Sequence, residues 1–282
     1  MAHHSVHGGN LSSLVRGAAV AAVVLGGSVG GVAAIHEVSS RGRNAVSVAM
    51  IGARPGDTVR VAAGMYRERV TVEPEVLLMA ATRHEAVIDP GGRGTAVTLS
   101  RGSSIEGFVV RGASVGILSR SSAGAIRHCR VVRNQGTGIM IIGPLPVVRD
   151  NVVAYNRGSG MQLQDSRQGE GEGVVDHNTI AYNANHGIAL SLSGGVVISN
   201  NIIAFNQRYG VRVCDECRGM NLVQNNIYGN YSTPLTLPSG NMSEDPGFVA
   251  PKKRQMNFRL APDSPCRSRG TDRTDLGARF RR

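Results

Sequence analysis

The chain has no tryptophan, and aromatic residues make up only 4% of its 282 residues. Glycine, in contrast, occurs 37 times. A core built mainly from large aromatic rings is therefore excluded. Frequent glycine suits a fold of repeated narrow turns, because glycine adopts backbone conformations that other residues avoid. The composition thus favours a repetitive, turn-rich architecture.

Cysteine is also scarce, with four residues in the chain. Cys214 and Cys217 form one C-x-x-C motif, and a zinc site would need a second such pair, which Cys129 and Cys266 do not supply. A thioredoxin-like redox site would need a strand–helix–strand context, which is absent here. In an exported chain the motif predicts a local disulfide between Cys214 and Cys217. Cys129 is expected to be a buried thiol.

The sequence does contain a repeat. Six similar segments follow one another at steps of 22, 22, 27, 23 and 24 residues. They read GFVVRG, CRVVRN, NVVAYN, NTIAYN, NIIAFN and NNIYGN, and they begin at Gly107, Cys129, Asn151, Asn178, Asn201 and Asn225. Five of them are followed by a glycine that opens a short apolar alternation: Gly116, Gly138, Gly160, Gly187 and Gly210. A period of about 23 residues with strand-like runs indicates a solenoid.

The side chains select the type of solenoid. Leucine-rich repeats have a similar period, but they need a regular leucine ladder and a helical stretch. Here valine and isoleucine occupy every second position, which is typical of strands. We therefore predict an all-β fold, a parallel β-helix of about nine or ten coils in one domain. Successive coils would pair at a spacing of about 4.8 Å.

Stacked coils align equivalent residues into columns. Two apolar columns are expected to be interior, namely Val131, Val153, Ile180, Ile203 and Ile227, and Ile126, Val148, Val175, Ile198 and Leu222. A third column consists of Asn134, Asn156, Asn183, Asn206 and Asn230. Asparagine tolerates the left-handed backbone of a sharp turn, and stacked amides can hydrogen bond along the axis. This column predicts a structural asparagine ladder.

From about residue 45 to residue 282, the chain resembles the right-handed parallel β-helix proteins of the pectin-lyase-like superfamily. The segment ARPGDTVRVAAGMYRERVTV, Ala53 to Val72, is similar to their first coil. DPGF from Asp245, FRLAPDSPC from Phe258 and DLGA from Asp275 are similar to the tail that closes many secreted members. The CRSRG stretch departs from that pattern, so we expect a cap without a site. The resemblance implies a right-handed β-helix over residues 45–240 and a basic capping tail over residues 241–282.

The first 36 residues differ from the rest. A polar start is followed by Arg16 and an apolar stretch from Gly17 to Ile35, which ends in small residues at Ala33 and Ala34. This pattern predicts an export signal with cleavage near Ala34, and hence a secreted, periplasmic or cell-surface protein. An uncleaved membrane anchor is the alternative, because the stretch is nearly long enough to span a bilayer.

The net charge of +11 is unevenly distributed. Residues 252–282 contain ten lysines and arginines against three aspartates. Basic surfaces attract anionic polymers, and in an exported chain a polysaccharide or cell-envelope polymer is the favoured partner. No nucleic-acid-binding motif is present, so nucleic acid is not expected as a partner. A solubilising cap over the last coil is the alternative explanation of this charge. We expect a monomer.

Polar residues stand just before the repeat segments and form a line of candidate site residues. The line comprises His128, Asp150, His177, Asn200 and Gln224, and the column before it contains Arg149 and Asp176. A histidine beside a carboxylate can transfer protons, so we predict Asp150, His177, Arg149 and Asp176 as catalytic and His128 as substrate-binding. Two histidines and an aspartate could also hold a metal ion. A charged column is equally typical of the solvent face of any solenoid.

Two further features could serve a polymer substrate. The 27-residue step contains the loop DSRQGEGEG, which would bring Asp165, Arg167 and Glu170 near the polar line if it overhangs that face. A column of Tyr155, Tyr182 and Phe205 could line a sugar platform. The alternative for these rings is packing inside or at a turn, with the tyrosine hydroxyls at the surface edge.

The resemblance implies enzymes that cleave or remodel polysaccharides: lyases, hydrolases and epimerases. Lyases of this kind remove a proton next to a uronate carboxyl, which calcium or cationic side chains neutralise. Calcium is therefore the one cofactor to consider. Three hypotheses follow: a polysaccharide lyase or epimerase, a non-catalytic glycan-binding module, or a structural β-helix of the cell envelope.

Overall fold

The computed structural model describes residues 32–39, 42–120, 124–164, 173–191, 195–214, 217, 220–232 and 236–280. These ranges contain one helix, α1 (Ala45–Gly52). The strands, in chain order, are β1 (Ile35–Val38), β2 (Thr58–Val61), β3 (Gly64–Tyr66), β4 (Val70–Val72), β5 (Leu77–Ala80), β6 (Ala86–Ile88), β7 (Thr95–Leu99), β8 (Ser104–Glu106), β9 (Val109–Val110), β10 (Val115–Ser119), β11 (Ala125–Arg127), β12 (Arg130–Val132), β13 (Ile139–Ile142), β14 (Val147–Arg149), β15 (Val152–Ala154), β16 (Met161–Gln164), β17 (Gly173–Asp176), β18 (Thr179–Ala181), β19 (Ile188–Ser191), β20 (Val196–Ser199), β21 (Ile202–Ala204), β22 (Val211–Val213), β23 (Met220–Val223), β24 (Asn226–Tyr228), β25 (Phe248–Ala250) and β26 (Asn257–Leu260).

The strands form three parallel sheets that run the length of a solenoid. Sheet 1 has the order β1-β2-β5-β8-β11-β14-β17-β20-β23, sheet 2 runs from β3 to β24, and sheet 3 runs from β4 to β22. Each complete coil gives one strand to each sheet, so the chain is the predicted parallel β-helix. Within the described ranges it has seven complete coils and a partial eighth, β23 and β24. The prediction of nine or ten was too high, because β24 is the last strand that the described residues add to the three parallel sheets.

Apolar columns fill the interior as predicted. Val131, Val153, Ile180 and Ile203 have no exposed surface, and the column from Ile126 to Leu222 is buried as well. The glycine that recurs after the repeat segments lies where two successive coils approach each other closely. A Cβ atom at Gly160 would lie 2.6 Å from Cγ2 of Ile180 and 2.8 Å from Nδ2 of Asn183, distances that real Cβ atoms do not reach. A larger residue would therefore push these columns apart.

The predicted asparagine ladder is present at the corner between sheets 2 and 3. Each side-chain amide donates to the amide oxygen one coil further on, at 3.0, 2.9, 2.9 and 2.9 Å from Asn134 to Asn230. The proposed reason was partly wrong. The left-handed residue of each turn is the one before the asparagine, such as Tyr155 with φ 58° and Tyr182 with φ 57°. The asparagine stabilises this corner by hydrogen bonding alone.

A second ladder lies at the corner between sheets 1 and 2, and it was not predicted. Side-chain amides of Asn151, Asn178, Asn201 and Asn225 each donate to the next asparagine, ending on Asn241, at 2.9 to 3.0 Å. Cys129 heads this column as a buried free thiol, as expected, and its backbone N–H donates to Asn151 Oδ1 at 2.9 Å. Burial raises the pKa of Cys129 to about 12, so the thiol is protonated.

The first coil is covered by α1. Val46 and Met50 of this helix are buried against the solenoid. The Glu68 carboxylate accepts hydrogen bonds from the backbone N–H groups of Val46 and Ser47 at 3.1 and 2.9 Å. A carboxylate at this end is favourable, because the first N–H groups of a helix lack partners within it.

Most of the predicted export segment, residues 1–31, lies outside the described residues. Its predicted end at residue 36 falls inside β1, which pairs with β2. Among the residues that the structure describes, no helix is long and apolar enough to cross a membrane. Cys214 and Cys217 are joined by the predicted disulfide.

The C-terminal tail packs along the outer face of sheet 2, and not only over the last coil. The strands β25 and β26 pair as an antiparallel hairpin. From this hairpin Phe258 packs against Val132, Val152, Ala154 and Ala181 of sheet 2. Further on, Leu276 and Cys266 pack against Ile202 and Ala204. The tail therefore runs back across several coils, with the two flanking corners on either side of it.

We expect Asn183→Leu to lower the free energy of unfolding by at least about 3 kcal/mol. The Asn183 side chain makes four buried hydrogen bonds, to Asn206, to the Val153 carbonyl and, twice, to Asn156. Leucine fills a similar volume but leaves these partners unsatisfied. Urea unfolding measures the change. The exposed Asn221 of β23 provides the control, Asn221→Leu, and equal stability of the two variants would contradict the structural role of the ladder.

Candidate functional site

The predicted polar line exists at the corner between sheets 1 and 2. His128, Asp150, His177, Asn200 and Gln224 each form the left-handed residue of a sharp turn, with φ of 52, 58, 51, 55 and 48°. Each is followed by a residue of the second ladder column, whose hydrogen bonds to the next coil stabilise the turn. The backbone thus holds one polar side chain per coil at the same corner.

Asp176 is the centre of the hydrogen-bond network on this line. Its carboxylate, 3% exposed, contacts Arg149 Nη2 at 2.6 Å and His177 Nδ1 at 2.9 Å. It also accepts hydrogen bonds from Ser199 Oγ and Asn200 Nδ2, both at 2.8 Å. Burial by itself would raise the pKa of Asp176. The hydrogen bonds from His177, Asn200 and Ser199 outweigh that effect and hold the pKa below its usual range.

The C-terminal tail covers this part of the line. His177 Nε2 lies 2.8 Å from Thr274 Oγ1. Asp150 accepts two hydrogen bonds from the Arg279 guanidinium, both at 2.7 Å. Asn200 Oδ1 accepts a hydrogen bond from the Thr271 N–H at 2.9 Å. These contacts anchor the tail to three successive coils.

Part of the predicted polar line is therefore not open to solvent. The side chains of Asp150 and His177 are each only 2% exposed, because the tail crosses over them. Arg149, Asp176 and His177 do come together as predicted. His177, however, is paired with Asp176 of its own coil, and Asp150 is paired with Arg279. The partners Thr271, Thr274 and Arg279 were missed, because the tail was expected to contribute no site.

The line remains open around His128. This residue is half-buried, and Arg127 before it is exposed on sheet 1. Arg127 is in register with Glu106 on one side and with Arg149 on the other. The Arg149 side chain is 46% exposed despite its contact with Asp176. Two guanidinium groups on adjacent coils therefore face solvent beside a histidine.

The environment of His128 favours the neutral imidazole. Burial lowers the pKa of His128, and the charge of Arg83 lowers it further, while Asp150 and Glu106 oppose this shift. The His128 carbonyl is within 2.7 Å of His84 Nε2, which helps to fix the turn. A neutral imidazole can accept a proton at neutral pH. We call Arg127, His128 and Arg149 the open corner.

Tyr155, Tyr182 and Phe205 lie at the other corner, between sheets 2 and 3. Their rings stack on one another with centroid distances of 5.2 and 5.0 Å. The Tyr155 hydroxyl donates to the Pro251 carbonyl of the tail at 2.5 Å. Packing at a turn, the alternative considered from the sequence, is thus observed. The ring faces contact each other, and only ring edges are directed outward.

The remaining predicted site residues, Asp165, Arg167 and Glu170, lie outside the described residues. Calcium does not fit the carboxylates that the structure does describe on this line. Asp150 and Asp176 are each paired with an arginine, and Glu106 lies 3.5 Å from Arg83. Within the described ranges, no group of three or more histidine, cysteine, aspartate or glutamate side chains could hold a metal ion.

We expect His177→Ala to destabilise the protein by about 1–3 kcal/mol, because Asp176 and Thr274 each lose a buried hydrogen-bond partner. Thermal unfolding measures the change. In limited proteolysis, we expect the tail of this variant to be cleaved faster than the tail of the original protein. The control is Arg212→Ala on the exposed face of sheet 3. An unchanged melting temperature in His177→Ala would show that the tail does not need this contact.

Comparison with known proteins agrees with the architecture. A family model described as "Right handed beta helix region" matches residues 93–243, more than half of the chain. A search of curated protein sequences finds no match. Among solved structures, pectate lyase Pel9A is similar over 88% of this chain and 96% of its own, with 16% identity and a TM-score of 0.53. The A-module of the mannuronan C-5 epimerase AlgE4 from Azotobacter vinelandii covers 67% of this chain and 74% of its own, with 18% identity and a TM-score of 0.42.

The similarity to Pel9A, at 16% identity, supports a common fold and nothing about the reaction. The family match, the three parallel sheets and the stacked asparagines agree on the type of protein. The chain therefore belongs to the right-handed β-helix family.

Proposed function

We propose that the protein binds and modifies an acidic polysaccharide at the open corner, as a lyase or an epimerase. The observation that carries this proposal is the pairing of Arg127 with Arg149 in register beside a half-buried His128. Arginine presents planar, permanently charged donors that match a carboxylate. A linear polymer laid along the axis would meet these two groups on adjacent coils, about 4.8 Å apart.

The chemistry follows from these three side chains. Arg127 and Arg149 bind the carboxylate of one uronate residue and draw electron density from the adjacent carbon. The proton on that carbon is then acidic enough for transfer to the neutral imidazole of His128. In an epimerase, water delivers a proton to the opposite face of the same carbon, and His128 releases the abstracted proton to solvent. In a lyase, the electron pair of the broken C–H bond forms a carbon–carbon double bond to the next ring carbon, the bond from that carbon to the linking oxygen breaks, and the oxygen takes up a proton from water.

The covered residues have a positioning role in this proposal. Asp176 accepts from both Nε and Nη2 of Arg149, at 2.7 and 2.6 Å, and so orients the guanidinium. Asp150 is held by Arg279 and supplies a negative charge near His128. Asp150 and His177 were first predicted as the proton-transfer pair. In this proposal they lie beneath the tail and help to position the residues of the open corner. No calcium ion takes part in the proposed step.

A glycan-binding module without catalysis is the second candidate. It is favoured by the same tail, which covers the part of the polar line where the sequence predicted the catalytic pair. Such a module would use Arg127 and Arg149 to hold the polymer and would leave it unchanged. The two candidates differ only in the need for His128.

The assay incubates the protein with acidic polysaccharides and follows two products: the ultraviolet absorbance of an unsaturated uronate, for a lyase, and the change in uronate configuration by NMR, for an epimerase. We expect His128→Gln to abolish turnover with little change in binding. Arg127→Gln should weaken binding roughly tenfold, the equivalent of about 1.4 kcal/mol. Arg212→Gln on sheet 3 removes an equal charge from another face and is the control.

The pH profile of the same assay tests the role of His128. Because the pKa of His128 is lowered, the neutral base persists below pH about 6.5, and activity should fall only under that value. Binding without turnover in every variant would assign the non-catalytic module. Neither binding nor turnover of any acidic polysaccharide would overturn the proposal.

We also propose that residues 1–36 direct export. The apolar stretch from Gly17 to Ile35 supports this, as does the position of β1. Cleavage between Ala34 and Ile35 would leave β1 intact, and we expect a mature protein that begins at Ile35. N-terminal sequencing of the exported protein checks this. A full-length N-terminus in the membrane fraction would instead assign an anchor.

A further inference from the structure

A notch lies on the other side of the tail, at the corner between sheets 2 and 3. It is a cavity of about 300 Å³ that spans three coils. The stacked ring edges of Tyr155, Tyr182 and Phe205 form its floor. Its volume is at the lower end of the range for sites that bind small molecules.

The notch results from one small residue in an exposed column. The residues that directly follow the ladder asparagines align as Gln135, Arg157, Ala184 and Gln207, and all four are exposed. Ala184 stands between two long side chains, Arg157 and Gln207, which border the cavity at either end. The alanine therefore leaves space that a larger residue would fill.

The groups around the notch favour an anion. Arg157 borders it on the solenoid, and Lys253 of the tail reaches it from the opposite side. Among the residues that the structure describes, no carboxylate lines it. Asp245 lies outside the lining, and its charge helps to raise the pKa of Tyr182. Aromatic ring edges carry partial positive charge and add to this preference.

The Tyr182 hydroxyl supplies a hydrogen-bond donor. Among the residues that the structure describes, it has no hydrogen-bond partner, whereas the Tyr155 hydroxyl is bound to Pro251. Burial, and to a smaller extent the neighbouring Tyr155, raises the pKa of Tyr182 to about 12. The hydroxyl therefore keeps its proton at neutral pH and can donate it to an oxygen of a ligand.

We propose that this notch is a second carbohydrate subsite, which binds a carboxylated sugar residue through Arg157, Lys253 and the Tyr182 hydroxyl. The identity of the ligand as an acidic sugar rests on the proposed function. The notch and the open corner lie on opposite sides of the tail, so one polymer could contact both only by crossing it. The notch thus gives the protein a second point of attachment, which increases the residence of a long chain without a part in its chemistry.

The test measures binding of an oligomer of galacturonic acid by calorimetry, in the His128→Gln background so that the oligomer is not consumed. Ala184→Leu fills the notch and should weaken binding at least tenfold. Gln135→Leu places the same residue in the same column but outside the notch, and it should leave binding unchanged. Lys253→Gln, at an exposed position of the tail, should weaken binding several-fold and reduce its dependence on salt.

The outcomes separate this subsite from the proposed function. If Ala184→Leu and Arg127→Gln both weaken binding, the protein has two subsites. If only Arg127→Gln does so, the notch is not a subsite and the open corner stands. If only Ala184→Leu and Lys253→Gln do so, the notch stands and the open corner is overturned. Absence of binding to the original protein would overturn both.

Discussion

Hydrogen bonds between buried asparagines fix the distance between the equivalent corners of successive coils. The two ladders stand only five residues apart in the sequence, as in Asn151 and Asn156 or Asn178 and Asn183, and each asparagine bonds to its equivalent one coil further on. Insertions are therefore confined to the other parts of a coil. The 27-residue step obeys this constraint, because its extra residues fall between β16 and β17. Side chains at the corners keep a constant spacing along the axis, which makes them suitable for a repetitive ligand.

The tail converts one continuous polar line into two regions with different roles. Where it crosses, the carboxylates of Asp150 and Asp176 are saturated by arginine, histidine and amide donors. Where it is absent, Arg127 and His128 stay accessible. On its other side the tail contributes Lys253 to the notch. A single segment thus buries one set of polar groups and helps to build the surroundings of another.

The fold could be predicted because equivalent residues recur at a fixed period in the sequence of a solenoid. Val153, Ile180 and Ile203 occur at equivalent positions, and the period alone places them in one column. The second ladder was visible in the sequence, because four of the repeat segments begin with asparagine, but these asparagines were not interpreted as a ladder. The site was predicted less well. Contacts such as Asp150 with Arg279 join residues that lie 129 positions apart, outside the repeat, and no periodicity reports them. The burial of His177 follows from that same tail, so a local pattern could not reveal it.

Both ladder columns begin in the coil of β11 to β13, at Cys129 and Asn134, and only the backbone of the preceding coil, at Val110 and Ala113, bonds to Asn134. The preceding coils are joined by backbone pairing, by apolar columns and by exposed ion pairs such as Arg60 with Glu37 and Arg83 with Glu106. Exposed ion pairs contribute little to stability, whereas buried amide networks contribute more. In a solenoid each coil contacts only its neighbours, so we expect the N-terminal block, the coils before β11, to open locally more readily than the C-terminal block. The open corner lies at their boundary, so a local loosening of the N-terminal block would change its shape while the C-terminal block stays folded.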